Sequence, residues 1–297
     1  MTGYYALYVF TMLLSSLNTV YLYKKYQLTA GTSLKANTMY LIINGVISAI
    51  VPGVLMLVRG QALAITPYSI IVATVIVSCA ACNVMAQMKA YSIGKIATVN
   101  ILGTVGTIIL SCFWGVLVLH ESLTLMDGVA IALMLLSTLL IRSNVGDKEG
   151  KGLLWLYGVI ILLGSAVSIL SKQHQVETAF ETVDTLSFSV WIGIIRVILF
   201  SFVAIYYLSR EGKKAFAFPK SSVVYATASS VLSGSCYIIT LFTGTILPIV
   251  ITSPLGTGMS IVMCTLLPWV FYREKLSRRQ IVGILFSLVG AILFLVG

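Results

Sequence analysis

The 297-residue chain has little charge, little histidine and no catalytic signature. Charged residues make up 9% of it, against roughly 25% in an ordinary soluble domain, and 59% is apolar. A water-soluble globule is excluded. The two histidines, His120 and His174, rule out a histidine-rich metal site. No H-E-x-x-H, Walker A or nucleophile-elbow motif occurs, so nothing in the sequence supports an enzyme, an ATPase, a cofactor or a metal. The nine acidic residues stay out of the middle of the apolar runs, which argues against a conventional proton relay. All five cysteines lie in apolar segments, so no disulfide framework is expected, and Cys79-Ala80-Ala81-Cys82 reads as small buried packing rather than a redox or metal pair.

What the chain does have is a succession of long apolar runs. About 20 residues cross a hydrocarbon core of about 30 Å, so this length accommodates roughly ten spans. Bounded by charge, Pro or Gly, the runs fall near 3–23, 36–58, 67–88, 96–119, 124–141, 153–171, 185–208, 221–243, 246–271 and 279–296. No basic stretch precedes the first, which is therefore expected to be a retained span. The fold expected is an all-α polytopic membrane protein.

The two halves of the chain align without a gap at an offset of 153 residues. Leu102-Gly103-Thr104 falls on Leu255-Gly256-Thr257, Glu121-Ser122-Leu123-Thr124 on Glu274-Lys275-Leu276-Ser277, and Ile96 on Ile249. Five helices per copy is an odd number, so the copies are expected to cross the membrane in opposite senses, as in many carriers. The division expected is a first five-helix repeat at 1–144, a linker at 145–151 and a second repeat at 152–297.

The net charge of +10 reports topology rather than a nucleic-acid partner. Alternating the loops puts sixteen of the nineteen basic residues on one side, leaves Arg59 and Lys172 on the other, and sets Arg196 apart inside a helix. Basic loops collect on the cytoplasmic side, so both termini are expected outside.

Two five-helix units, Gly-rich fourth and ninth helices, and a Glu-x-Leu-Thr/Ser turn before the fifth and tenth helices resemble the drug/metabolite transporter superfamily of the EamA type. Pro254 in the ninth helix fits this resemblance. Ile101 at the matching position, and His120 and Arg273 where glycine often precedes the turn glutamate, depart from it. The resemblance implies a cavity between helices one, three, four, six, eight and nine, which selects Asn18, Asn83, Gln87, Asn100, Tyr237 and Ser253 as lining residues.

Arg196 joins them as a substrate candidate, because a mid-membrane guanidinium must face a polar interior and can grip a carboxylate or phosphate; packing without substrate contact is its other reading. Gly103, Gly106, Gly256 and Gly258 are expected at close helix contacts. Glu121 and Glu274 are expected to complement the dipole of the helix that follows each.

The function expected is a secondary carrier of a small polar metabolite, an amino acid or a related zwitterion or anion, in a bacterial plasma membrane. Nucleotide sugars or lipid-linked sugars are the alternative cargo, and a non-transporting scaffold subunit the alternative class. Partners expected are the small-molecule substrate and the bilayer, with a monomer sufficient and a homodimer the other arrangement.

Overall fold

The structure is a computed structural model that describes residues 2–93, 96–142, 151–212, 216–272 and 276–296. Among these residues the chain is helical, with no strand. Helix α1 runs from Thr2–Leu17 through a π-helical stretch, Asn18–Tyr23, into Lys24–Ala30. There follow α2 (Leu34–Val58), α3 (Pro67–Ile93), α4 (Ile96–Leu117), α5 (Leu125–Arg142), α6 (Lys151–Val176), α7 (Thr185–Glu211), α8 (Lys220–Gly244), α9 (Ile249–Tyr272) and α10 (Arg278–Val296).

Helix starts are written locally in the sequence. Ser33 caps α2 by accepting from Ala36 N–H, and the Asp184 carboxylate caps α7 by accepting from Leu186 and Ser187 N–H at 3.0 and 3.2 Å. At α5 the capping is reciprocal: Asp127 N–H donates to Thr124 Oγ1, while Asp127 Oδ2 accepts from Thr124 N–H at 3.0 Å. The same box recurs 153 residues later, where Ser277 N–H donates to Gln280 Oε1 at 2.8 Å and Gln280 N–H to Ser277 Oγ. The last residue of each Glu-x-Leu-Thr/Ser motif is thus the cap of the next helix.

Seven described helices are long and apolar enough to cross a membrane, and two shorter apolar helices accompany them. Phe10, Ile50, Phe113, Ile198, Phe202 and Ile292 are each more than half exposed. In water such scattered bulk would favour association, whereas hydrocarbon solvates it. The chain has the character of a multi-pass integral membrane protein. Apolar runs alone do not place helix ends: α1 and α6 extend beyond the expected 3–23 and 153–171.

The chain forms two compact units that interleave in sequence. The first comprises 1–13, 78–173 and 243–297. In its core Tyr8, Met134, Leu255, Met259 and Phe294 join α1, α5, α9 and α10. Helices α5 and α10 approach closely because Gly283 and Gly290 lie against the carbonyls of Ser137 and Ala130, each 3.1 Å from where a Cβ would stand.

The second unit comprises 14–77 and 174–242. Its tightest crossing is α2 on α7. A Cβ on Gly193 would stand 2.6 Å from Ala49 N, and one on Gly45 2.9 Å from Gly193 O. Met56, Leu186 and Val190 close the apolar contact along the same pair.

Candidate functional site

In the first unit, α3, α4, α6 and α9 line a cavity of about 200 Å³. Its polar groups come from Asn83, Gln87, Thr104, Thr107 and Thr257, its floor from Gly103, Ile160 and Gly164. Asn83 and Gln87 are one helical turn apart, and Gln87 Nε2 donates to Asn83 Oδ1 at 3.3 Å. Thr107 Oγ1 returns its proton to the Gly103 carbonyl at 2.8 Å, leaving lone pairs for a guest. Gly164 keeps the space open: a Cβ there would lie 3.1 Å from Thr107 Oγ1 and 3.4 Å from Asn83 Nδ2. Among the described residues the lining carries no ionisable side chain, so it is suited to hydrogen bonding rather than charge pairing.

Thr104 and Thr257 were legible only jointly. They occupy equivalent places in the two halves of the sequence, and both reach this cavity. Ser253 is on α9 one turn before Thr257, partly buried and outside the lining. Asn100 lies in α4, its side chain outside the described residues.

The same unit holds a second polar junction. Pro248 and Pro254 lack N–H donors, and Pro254 deprives the Val250 carbonyl of its helical partner; Cys112 Sγ donates to that carbonyl at 3.6 Å. One turn earlier, Glu121 Oε1 and Oε2 accept from Ile249 and Val250 N–H at 2.9 and 3.0 Å. Lys172 Nζ stands 3.8 Å from Glu121 Oε1 and donates to the carbonyls of Gly244 and Leu247 at 2.7 and 2.6 Å. The positive end of α9 thus meets a carboxylate, and the terminal carbonyl of α8 with that of Leu247 in the following turn meets an ammonium, each helix end finding the complement of its dipole.

These positions correct two expectations. Glu121 caps α9, far away in sequence, because Thr124 and Asp127 already satisfy the start of α5. Lys172 is a buried residue of α6, where its ammonium finds carbonyls, and does not belong with the loop charges. Glu274 lies outside the described residues. The connection carrying Glu121 turns sharply at His120, which has φ +52°. That left-handed conformation is the one glycine adopts most cheaply.

The four glycines all meet neighbouring helices. Cβ atoms on Gly103 and Gly106 would reach Ile160 and Ile161 of α6, at 3.0 and 2.6 Å. One on Gly256 would collide with the Tyr8 hydroxyl, and one on Gly258 would stand 2.9 Å from both Met134 Sδ and Ser287 Oγ. Tyr8 in turn donates to the Thr252 carbonyl at 2.8 Å.

In the second unit, Arg196 Nη1 donates to Asn44 Oδ1, and Asn44 Nδ2 donates to Ser233 Oγ at 2.9 Å. Tyr40 shares a hydrogen bond with Ser229 at 3.0 Å, and Tyr40 and Tyr237 both stand near the guanidinium. Asn44 is an amide within an apolar run, and the α2–α7 crossing is what sets it opposite Arg196. Asn18 is buried in the π-helical stretch of α1, and its Oδ1 has no hydrogen-bond partner among the described residues. Such stretches recur at functional sites because they leave backbone groups free.

A polytopic helical membrane protein with polar sites inside its helix packing is the class that fold and site define. No family profile and no curated protein sequence matches the chain. A protein of known crystal structure shares the fold, with a TM-score of 0.77 over 98% of this chain and 97% of that one at 14% identity.

Proposed function

We propose that this chain is a secondary membrane carrier for a small polar metabolite, an amino acid or a related zwitterion or anion, working by alternating access between two inverted five-helix repeats. The observation that carries the reading is the cavity bounded by α3, α4, α6 and α9, lined by two amides and three threonines. Buried amides in a membrane helix are costly unless they meet a partner or water, so a set of them around an open space favours a polar guest. At about 200 Å³ the space is smaller than the roughly 300–1,000 Å³ of drug-sized ligand pockets, which fits a metabolite of a few heavy atoms.

The 153-residue repeat supports the alternating-access part, since the matched threonines Thr104 and Thr257 give the two copies equivalent contributions to one cavity. The loop charges support cytoplasmic placement of the basic connections and outward termini in a bacterial plasma membrane.

Reconstitution tests this. Proteoliposomes are offered labelled amino acids, sugars and nucleotide sugars, with and without a pH gradient. The expected result is amino-acid flux above empty liposomes that does not depend on the gradient, as an exchanger or uniporter gives. Flux confined to nucleotide sugars, or none at all, overturns the reading.

A further inference from the structure

Within the second unit, Arg196 sits eleven residues into a 27-residue helix, about 16 Å from its start at 1.5 Å per residue. A guanidinium offers five N–H donors. Arg196 uses one of them, on Asn44, and no carboxylate lies within 4 Å of it among the described residues. The side chain is only partly buried, and its exposed part cannot face hydrocarbon cheaply. Its surroundings are hydroxyl-rich: Asn44 passes its amide to Ser233, and the Tyr40 hydroxyl meets Ser229 and Ser233. A partly exposed cation with spare donors, set among hydroxyl groups inside a membrane helix, is an incomplete constellation.

We infer that Arg196, Tyr40, Asn44 and Ser233 form a binding site for a monoanionic carboxylate. The charge count selects the ligand. One guanidinium neutralises one negative charge, and no second cation joins the network among the described residues, so a phosphate dianion would leave a net charge in the membrane. A planar carboxylate matches the guanidinium fork, while Asn44 and Ser233 fix the fork's orientation. The inference goes beyond the carrier reading, because it assigns a carboxylate-binding site to the second unit taken by itself.

The test reads binding rather than flux, so the two claims fail separately. Purified protein in nanodiscs is heated at about pH 8.5, where inorganic phosphate is the dianion, with L-lactate, L-lactamide, inorganic phosphate or sodium chloride at matched ionic strength. Lactate is expected to raise Tm by roughly 2–5 °C at saturation, with lactamide and phosphate indistinguishable from chloride. R196Q is expected to abolish the shift and R196K to retain a smaller one. Because R196Q could weaken folding itself, phenylglyoxal labelling of Arg196 in the unmodified protein gives a second readout, in which lactate slows labelling and lactamide does not. Equal effects of lactate and lactamide, a larger shift with phosphate, no shift with any probe, or a full shift in R196Q each overturn the site. Lactate binding without flux of any solute leaves the site standing and removes the carrier.

Discussion

Glu121 and Lys172 stand 3.8 Å apart and between them hold the connection from α8 to α9: the carboxylate takes the first N–H groups of α9, the ammonium the carbonyls of Gly244 and Leu247. Both side chains are nearly enclosed, at 12% and 9% exposure, so removing either charge leaves the other buried without its counterion. Glu121→Gln and Lys172→Met are each expected to lower unfolding free energy by about 2–3 kcal/mol. The double variant should lose less than the two together, a coupling of about 1 kcal/mol measured by unfolding in mixed micelles. Strict additivity would mean that the pair does not act as a unit.

Two helix glycines should respond oppositely to alanine. At Gly193 a methyl meets the backbone of Ala49 and Gly45 at 2.6–2.7 Å, which only separation of α2 from α7 relieves; Gly193→Ala is expected to destabilise by about 2–4 kcal/mol. Gly158 has nothing within 4 Å of its Cβ position. Gly158→Ala therefore removes backbone entropy at no steric cost and should be neutral or stabilising by about 0.5 kcal/mol. Thermal melts of the two variants side by side decide this.

At His120 the expected change is a gain. Its φ of +52° costs an L-residue what it does not cost glycine, so His120→Gly should stabilise by about 0.5–1 kcal/mol, seen as a raised Tm with the α4–α5 connection unchanged. A fall in Tm would show that the imidazole contributes packing that outweighs the backbone conformation.

Helix number and kind were legible because apolar runs of membrane length have few alternatives. Asn83 and Gln87 stood out in sequence as amides inside such runs, which require a partner; the resemblance set them at a cavity, and both line one. What sequence could not supply was contact between distant segments. Glu121 reads as belonging to α5, four residues away, and only packing brings it to Ile249, 128 residues on. Lys172 reads as a loop charge because carbonyls of a helix end, its actual partners, leave no mark in residue types. The interleaving of the two units is likewise a property of contacts rather than of order along the chain.

The central claim is that solute passes through the cavity kept open by Gly164, and filling that cavity tests it most directly. Gly164→Ala sets a methyl 3.1 Å from Thr107 Oγ1 and 3.4 Å from Asn83 Nδ2, and Gly164→Val fills the space further, with Tm reporting whether each variant keeps the fold. Uptake of labelled alanine into proteoliposomes is expected to fall at least tenfold in the valine variant while its Tm stays near that of the unmodified protein. Unchanged uptake with a stably folded variant would contradict the account.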